Sequence, residues 1–557
     1  MPASRLDPAS QELEIAHNCR AGTSMDEPSG GRIVLISNRG PNDFVWQQDR
    51  WVPKPASGGL VSMIDPLARR PDVAWFCCVS EPPDAGEARA SLFTTAADQT
   101  DPALHIVPVP LPARAYQAHY GAISNEVLWM LQHHLVGQFG YSSLDVARHR
   151  AWSEGYLEAN RRMAAAVLAS GIHPRAFLIQ DYHFYPLPAL LHQAFPDTPI
   201  LHYTHIPFPG PATLKLIPRQ WRNAILLGML GADVIGLQTL RDTRSFLACC
   251  EELLQAQVDY KNSTVLAADG RVVRVREFPA STDPAAVQQA MHSPGVLSAR
   301  QRLAPFLEKL TVVRVDRLDP GKNQIIGFKA FGRSLEIRPD LRGRLRLLAF
   351  LVPSRTDLGV YREYRAAVYA SIREVNTTYA QECGFDPIEV FYTNDREQAL
   401  VAMEQCDALL VNSREDGMNL VVKEWAVVSN RPGVVILSET CGVASEIGSD
   451  ALLVSPLDIE GTAQALAQAI DMPNGERWAR LAGIRTKVLS WTATHWLSAQ
   501  LDALHQVSQR PAAFNIDGRA QAGCGARGPI QLCRPWPAPA AGRSGSSSAR
   551  SSKRALV

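Results

Sequence analysis

Two cations, Arg317 and Lys322, flank a proline and a glycine in the segment RLDPGKN. A proline–glycine pair favours a tight turn, so both side chains can converge on one point. An arginine can grip two phosphate oxygens while a lysine acts as a point charge, so this pair is suited to a phosphate. The alternative is that both cations form surface ion pairs with Asp316 and Asp319.

A second candidate site lies in REDGMNLVVKEW (414–425), which follows the apolar stretch ALLVNS. Gly417 permits a sharp turn, and a helix starting there would offer free N–H groups and a positive dipole end to a diphosphate. Asp416, Leu420 and Glu424 are spaced i, i+4 and i+8, so they share one face of a regular helix. The two carboxylates could then accept hydrogen bonds from sugar hydroxyls. The alternative is that the first caps the helix and the second is solvated.

A glycine turn, SGG (57–59), opens another predicted helix. Glycine pairs are common in turns, but beside Arg39 this turn is a place where the backbone could approach a ligand closely. Three aromatic residues, Tyr116, Tyr120 and Trp129, could line a sugar pocket, although such a stripe also fits a hydrophobic core.

Further polar residues follow apolar segments. Asp181 directly follows AFLIQ, His205 follows PILHYT, and Arg355 comes shortly after LRLLAFL. A lone charged residue after a strand is usually a solvated loop residue. Several such strand ends in one chain instead favour a shared polar cleft, because ligands of parallel α/β sheets bind outside the carboxyl ends of the strands.

The elements that must position these residues are strands in two series, with helical stretches between them. Continuous apolar strands separated by helices imply parallel sheets that are buried on both faces. The fold class is therefore α/β, with two doubly wound domains and a site in the cleft between them. The first series is RIVLIS (32–37), VAWFCC (73–78), LHIVPV (104–109), AFLIQ (176–180), PILHYT (199–204), DVIGLQ (233–238) and VVRVRE (272–277); the second is LTVVRV (310–315), LRLLAFL (345–351), IEVFYT (388–393), ALLVN (408–412), GVVILS (433–438) and ALLVSP (451–456).

Composition narrows the class of protein. The chain has 557 residues, 46% of them hydrophobic and 20% charged, and a net charge of +1, so two or three ordinary globular domains are expected. Balanced charge argues against nucleic-acid and membrane-surface partners. Ten cysteines without a CxxC pattern argue against zinc or a disulfide framework. The N-terminus has no signal-peptide core, so we expect a cytoplasmic protein. We also expect no metal and no cofactor.

Together, these segments resemble the trehalose-6-phosphate synthase family of retaining glycosyltransferases (GT20), which includes related pseudo-glycosyltransferases. The resemblance covers roughly residues 31–500 in family order. It implies the GT-B architecture, with two Rossmann-like domains facing across a cleft. The matching pieces are LISNRGP, SGGL, YGAISNEVLW, DYH, HIPFPGP, GLQT, RLDPGKN, VPSR and DGMNLVVKEW.

The resemblance also suggests a domain layout in which the final helix, HWLSAQLDALHQV, crosses back to the first domain. Both ends of the chain are polar or low in complexity, which predicts disorder. The expected segments are a disordered N-terminus (1–30), an acceptor domain (31–290), an NDP-sugar domain (291–485), the returning helix (486–508) and a disordered tail (509–557).

On the donor side, the resemblance implies residues that hold the diphosphate, the sugar and the ribose of an NDP-glucose. They are Gly58 and Gly59 beneath the diphosphate, Arg317 and Lys322 on the diphosphate, His205 against the glucose, Asp416 on its hydroxyls, the backbone of Met418, Asn419 and Leu420 at the distal phosphate and sugar, and Glu424 on the ribose.

On the acceptor side, the resemblance implies that Arg39 and Arg355 bind the phosphate of a sugar phosphate. Tyr120, Trp129 and Asp181 would form the pocket for its sugar ring. These three residues favour a ring-sized acceptor over glycerol phosphate.

The expected reaction follows from charge. Breaking the bond to the anomeric carbon puts negative charge on the departing diphosphate, which Arg317, Lys322 and a helix N-terminus would stabilise. His205 and Asp416 complete the predicted catalytic set. In such retaining enzymes a front-side reaction is expected, with a donor phosphate oxygen accepting the proton of the acceptor, while the two bound sugars are held in position.

Departures from the family pattern leave the acceptor open. Gln180 stands where a histidine usually precedes the DYH segment, and RLDPGKN replaces the frequent RLDYSKG. The first interpretation is glucose transfer from UDP- or GDP-glucose to glucose 6-phosphate, giving α,α-trehalose 6-phosphate. The second is the same fold with glycerol 3-phosphate or an aminocyclitol phosphate as acceptor. A third, a non-catalytic sugar-phosphate sensor, predicts loss of donor-side charges that this chain retains. A homo-oligomer is left open.

Overall fold

The computed structural model describes residues 30–47, 50–55, 59–81, 104–139 and 142–509. Gly58 and nearly all of the two end segments that the sequence predicts to be disordered lie outside the described residues.

Within these residues, nine strands form a first sheet. They are β1 Arg32–Ser37, β4 Val73–Ser80, β5 Ile106–Leu111, β6 Pro174–Gln180, β7 Ile200–Tyr203, β8 Val234–Leu237, β9 Gln257–Asp259, β10 Thr264–Leu266 and β11 Val272–Glu277. Their spatial order is β5-β4-β1-β6-β7-β8-β11-β10-β9. All neighbours are parallel except β11–β10 and β10–β9, which are antiparallel. Every residue of β1 is buried, as expected for a strand covered on both faces. A separate antiparallel pair joins β2 (Asn42–Gln47) to β3 (Arg50–Pro55).

A second, fully parallel sheet has six strands in the described residues. They are β12 Leu310–Arg317, β13 Leu345–Val352, β14 Ile388–Phe391, β15 Ala408–Val411, β16 Val434–Ser438 and β17 Leu452–Val454. Their order, β14-β13-β12-β15-β16-β17, is that of a Rossmann-type sheet. We call the first sheet with its helices (32–277) the first lobe and the second sheet with its helices (310–454) the second lobe.

Helices cover both sheets, and several begin at a capping side chain. Thr239, Asp395 and Asp458, for example, each accept a hydrogen bond from a backbone N–H of the first turn, which satisfies groups that a helix leaves unpaired. Two π-helical segments, Gln117–Leu128 and Trp152–Tyr156, interrupt the first lobe. The α-helices are α1 Gly59–Ala68, α2 Ala113–Tyr116, α3 Trp129–Gln132, α4 Val146–Ala151, α5 Leu157–Ala169, α6 Leu187–Ala194, α7 Pro211–Leu214, α8 Arg219–Met229, α9 Leu240–Leu254, α10 Pro284–Ala290, α11 Pro294–Leu303, α12 Gln324–Ile337, α13 Gly359–Cys383, α14 Arg396–Gln405, α15 Leu420–Val428, α16 Ala444–Ile447, α17 Ile459–Asp471, α18 Asn474–Ser490 and α19 Ala493–Gln509.

The predicted α/β class and its two doubly wound sheets are confirmed. Every strand predicted from the sequence is present, with ends that shift by no more than two residues. The sequence missed β9 and β10, which have three residues each, and the β2–β3 pair, whose segments mix polar and apolar residues. Short antiparallel strands bury too little surface to leave a continuous apolar run.

The last helix, α19, packs against the first lobe. The Trp496 ring lies 5.2 Å from the Tyr203 ring and 5.9 Å from the His205 ring, between centroids. Just before α19, the Trp491 indole N–H donates to the Pro279 carbonyl at 2.7 Å. The domain boundaries at 290 and 485 stay predictions. None of the helices in the described part of the chain is both long enough and apolar enough to cross a lipid bilayer.

Candidate active site

Among the parallel strands of each sheet, the strand order changes direction at one point. It lies between β1 and β6 in the first lobe and between β12 and β15 in the second. Loops on either side of such a switch point diverge and leave a crevice for ligands. Predicted site residues follow or end all four strands: Arg39 after β1, Asp181 after β6, Arg317 and Lys322 at β12, and Asp416 after β15.

At the second-lobe switch point, Lys322 and Asp416 form a partly buried ion pair, with 15% and 13% of their side chains exposed. Lys322 Nζ donates to Asp416 Oδ2 at 2.5 Å, and the same oxygen accepts from Ser413 Oγ and Asn419 Nδ2 at 2.9 Å each. Burial opposes charge on both partners, but their mutual attraction prevails and raises the pKa of Lys322 while lowering that of Asp416. Both groups are therefore charged at neutral pH.

The alternative pairing of the two predicted phosphate-binding cations with Asp316 and Asp319 is wrong. Asp316 pairs with Arg314 at 2.7 Å and Asp319 pairs with Arg355 at 2.8 Å. Each carboxylate therefore pairs with an arginine other than Arg317.

The helix after β15 begins at Leu420 rather than at Gly417, which corrects the sequence interpretation. Asn419 adopts left-handed backbone angles (φ 41°, ψ 80°), and this conformation interrupts any helical path from Asp416. Asp416 instead forms an isolated backbone bridge with Cys441. Its carboxylate therefore lies in the loop before α15 and does not share a helix face with Glu424.

Glu424 lies within α15 and pairs with Arg396, the first residue of α14. Its Oε1 accepts from Arg396 Nη2 at 2.8 Å, and its side chain is 20% exposed. Glu424 is thus neither fully solvated nor fully buried, and its ion-pair partner is Arg396 rather than another predicted site residue. Met418, two residues before α15, is buried.

Gly417 lies at a close approach between the lobes. A Cβ built at Gly417 would lie 2.5 Å from the backbone oxygen of His205, which follows β7. That oxygen also accepts from Gln238 Nε2 at 3.0 Å. Glycine is needed here because no side chain fits between the lobes, a reason that the predicted sharp turn did not include.

His205 is held from several sides. Its Nε2 lies 2.9 Å from Gln180 Oε1, and its backbone N–H donates to Asp181 Oδ1 at 3.1 Å. Its ring meets Tyr203 edge-on at 4.6 Å between centroids. Burial lowers the pKa of His205 to about 3, so the imidazole is neutral and acts by hydrogen bonding rather than by charge.

Asp181 combines an unusual backbone with a shifted acidity. Its φ of 77° is rare for a residue with a side chain. Burial raises its pKa to about 6, although backbone N–H groups of His205 and Tyr182 favour the charged form. The carboxylate is therefore ionised at neutral pH and protonated in mild acid.

Four of the predicted acceptor residues surround His183. Its ring stacks on Tyr120 at 5.9 Å between centroids, and its Nδ1 lies 4.0 Å from Asp181 Oδ2. Burial lowers the pKa of His183 well below its usual value, and the neighbouring His119, Arg355 and Arg39 lower it further. The two arginines follow strands of different sheets, so the fold itself brings them to one place.

Trp129, the fifth predicted acceptor residue, is 5% exposed and lies close to two cations. The Arg355 guanidinium lies 4.2 Å and that of Arg317 5.1 Å from the centre of the indole ring. The indole N–H donates to Asp319 in the other lobe at 3.1 Å. Trp129 therefore belongs to the interlobe site and not only to the core.

Sequence reasoning assigned no role to Tyr182, His183, Asp319 or Tyr361, which all lie at the site. The first three belong to DYH and RLDPGKN, two segments that carry the family resemblance, so their place in these segments could have identified them as site residues. Tyr361 lies in the long helix α13 and had no such signal. Gly59 begins α1, and the described residues contain no cluster of three or more side chains suited to hold a metal ion.

Two doubly wound sheets with their switch points facing across a cleft define a glycosyltransferase of the GT-B architecture. The family model for glycosyltransferase family 20 matches residues 31–506. The chain belongs to this family.

Individual relatives agree with this assignment. A protein of Mycolicibacterium gilvum (strain PYR-GCK) named trehalose-6-phosphate synthase is 31% identical over 514 residues, covering 88% of this chain and 97% of the relative. A solved structure described as trehalose-6-phosphate from E. coli bound with UDP-2-fluoro glucose has a TM-score of 0.73 at 25% identity, covering 85% and 99% of the two chains. A UDP-forming α,α-trehalose-phosphate synthase from Burkholderia xenovorans, solved in complex with glucose-6-phosphate, has a TM-score of 0.71 at 25% identity, covering 85% and 100%.

Proposed function

We propose that this chain transfers glucose from UDP-glucose to glucose 6-phosphate with retention, giving α,α-trehalose 6-phosphate and UDP. The observation that carries the proposal is one cleft that joins an ionised cation–carboxylate site on the second lobe to a pocket with two arginines, Arg39 and Arg355. Relatives over nearly the full chain are named for this activity, and solved relatives bind a UDP-glucose analogue and glucose-6-phosphate.

On the donor side, we assign Arg317 and Lys322 to the diphosphate of UDP-glucose. Negative charge develops there as the bond to the anomeric carbon breaks, so fixed positive groups favour the transition state over the ground state. The N–H groups at the start of α15, near Asn419 and Leu420, add partial positive charge. The glycine turn at Gly58 and Gly59 and the carboxylate of Glu424 stay assigned to the diphosphate and ribose through the family resemblance.

We assign Asp416 to hydroxyl groups of the donor glucose. In the described residues, the hydrogen bonds of its carboxylate all go to Oδ2, which leaves Oδ1 to accept from the sugar. His205, neutral and held by Gln180, would contact the same sugar from the first lobe. The reacting carbon would then lie between the His205 imidazole and the Asp416 carboxylate, beside the point where the lobes approach each other.

On the acceptor side, we assign Arg39 and Arg355 to the phosphate of glucose 6-phosphate. Tyr120 and Asp181 would contact its ring. The Trp129 indole N–H already donates to Asp319, and His133 and Arg355 lie against its ring, so Trp129 can offer the acceptor only the edge of its ring. Two sugars held in this way would react at the front side of the donor, with a phosphate oxygen of the leaving group taking the proton.

The test uses the purified full-length chain with UDP-glucose and a panel of acceptors. We expect UDP release with glucose 6-phosphate and a product with the mass of a disaccharide monophosphate. Glycerol 3-phosphate and an aminocyclitol phosphate should give only background release. Turnover with the cyclitol phosphate alone would reject the proposed acceptor and keep the reaction class. The cytoplasmic location and a homo-oligomer stay predictions from the sequence.

A further inference from the structure

Asp319 is a fully buried carboxylate in the turn after β12, and it accepts four hydrogen bonds. Oδ1 accepts from the Trp129 indole N–H at 3.1 Å and from the Gly321 backbone N–H at 3.0 Å. Oδ2 accepts from Arg355 Nη1 at 2.8 Å and from the Tyr361 hydroxyl at 3.2 Å. A carboxylate offers about four acceptor positions, so these partners leave none for a substrate.

The charge of Asp319 is maintained by its surroundings. Burial alone would raise its pKa, but Arg355 and Arg317 lie close enough to lower it below its usual value. An ionised carboxylate makes stronger hydrogen bonds than a neutral one. Asp319 is therefore a fixed anion at the contact between the lobes.

Both arginines beside Asp319 also lie against the Trp129 ring, at 4.2 Å for Arg355 and 5.1 Å for Arg317. Cations are attracted to the face of an indole ring. Because Asp319 binds the indole N–H, it fixes the ring on which the cations rest. Asp319 thus orients both Trp129 of the first lobe and Arg355 of the second lobe.

Arg355 needs such support, because its backbone lies in the left-handed region with φ 45°. A residue with a side chain adopts this conformation only when its surroundings hold it there. Its guanidinium donates to both Asp319 and the Tyr361 hydroxyl, and Tyr361 in turn donates to Asp319. The three side chains form a closed hydrogen-bonded ring.

We propose that Asp319 is a positioning residue that sets the acceptor side of the cleft by holding Arg355 and Trp129, without touching the acceptor itself. The inference rests on the proposed function, in which Arg355 binds the acceptor phosphate. Lys322 and Asp416 pair with each other and hold the donor side separately. Loss of the Asp319 charge should therefore weaken acceptor binding while nucleotide binding persists.

The central variant is Asp319→Asn, which keeps the size of the side chain and removes its charge. The matched control is Asp407→Asn, another buried aspartate, at the opposite end of the second sheet. Asp407 accepts from the Thr311 backbone N–H at 2.8 Å and lies 3.7 Å from Arg477. Both variants should lower the melting temperature, because each removes a buried charge from its partners.

Kinetics and binding separate positioning from a purely structural role. For Asp319→Asn we expect the KM for glucose 6-phosphate to rise about 10-fold or more, as for lost hydrogen bonds to a charged group. The Kd for UDP, measured by calorimetry without acceptor, should change clearly less than the acceptor KM, since Arg317 loses only a nearby charge whereas Arg355 loses a charge-assisted hydrogen bond. Asp407→Asn should leave both constants unchanged.

An acceptor KM within about 2-fold of wild type in Asp319→Asn, or equal losses for UDP and acceptor, would overturn the inference. If Asp319→Asn does not fold, Trp129→Phe and Tyr361→Phe each remove one donor to Asp319. Each should then raise the acceptor KM by about 2- to 5-fold, in line with one hydrogen bond, and no change in either would equally overturn it. If the wild-type protein does not turn over glucose 6-phosphate, the proposed function is rejected. If the wild-type protein is active and Asp319→Asn has the same acceptor KM, only this inference is rejected.

Discussion

The two switch points share a topology but treat charge in opposite ways. In the second lobe, Lys322 and Asp416 are both ionised and in contact at 2.5 Å. In the first lobe, burial lowers the pKa of His119 and His205 to about 3 and raises that of Asp181 to about 6. The second lobe thus presents an ion pair, whereas the first presents neutral imidazoles and a carboxylate that is ionised only above about pH 6.

The difference has a single physical cause. Burial always opposes charge, and the charged form survives only where an opposite charge lies within a few ångströms. Burial is the largest single effect on all four groups, but for Lys322 and Asp416 the partners in the loops after β12 and β15 together outweigh it, and for His205 and Asp181 nothing does. A lobe with full charges suits a diphosphate, and a lobe with neutral donors and acceptors suits sugar hydroxyls, with the phosphate left to Arg39 and Arg355.

The largest expected effect comes from removing a charge of the second lobe. Arg317→Ala should lower kcat by about 1,000-fold, because it removes a cation from the position where leaving-group charge develops. Release of UDP at saturating substrates measures the effect, and the far-ultraviolet circular dichroism should be unchanged.

The control for this variant is Arg333→Ala, which removes an exposed arginine paired with Glu460 in α17. It should turn over at the wild-type rate, because exposed ion pairs contribute little. Near-normal activity in Arg317→Ala would mean that the charged lobe does not act on the leaving group.

A second prediction concerns the contact that holds the two kinds of lobe together. Gly417→Ala places a methyl group 2.5 Å from the His205 backbone oxygen, so the lobes must move apart. We expect kcat to fall on the order of 100-fold, because small displacements of positioned reactants are costly. Gly475→Ala is the matched control, since a Cβ there meets nothing within 4 Å, and it should behave as wild type. Equal activity of the two variants would show that the close approach is not required.

The smallest predicted effect tests the weakly charged lobe through pH. Because burial raises the pKa of Asp181 to about 6, its carboxylate is ionised above that pH and protonated below it. An ionised Asp181 accepts hydrogen bonds from the acceptor sugar, so kcat at saturating glucose 6-phosphate should fall about tenfold between pH 7 and pH 5. Saturation matters because the acceptor phosphate itself titrates near pH 6.

Asp181→Asn provides the comparison for this profile. Its kcat should be lower at pH 7 and nearly flat between pH 5 and pH 7, because the group that titrates is gone. A variant whose profile still follows that of wild type would assign the titration to another residue.

The strands of both sheets, in their order along the chain, and the cleft as the place of the candidate site could be predicted from the sequence. Apolar runs such as RIVLIS and ALLVN became buried strands because a strand covered on both faces needs continuous apolar residues. Asp181, Lys322 and Asp416 then had to lie at the carboxyl edges of the sheets, since each follows a strand within five residues. The same logic failed for the start of α15, where the backbone of Asn419 turns left-handed in a way that no periodicity encodes.

The sequence by itself determined which residues reach the cleft, because local patterning decides where each strand ends. Only the tertiary structure decided their partners: Asp319 with Trp129 across the lobes, Arg355 with Tyr361, and Gly417 against His205. Trp129 and Asp319 are 190 residues apart and His205 and Gly417 are 212 apart, so no local pattern carries these two pairs. Arg355 and Tyr361 are only six residues apart, but their contact depends on the left-handed backbone of Arg355, which no periodicity encodes. The charge of each group depends on such neighbours and on burial. The difference in charge between the two lobes therefore could not be predicted from the sequence alone.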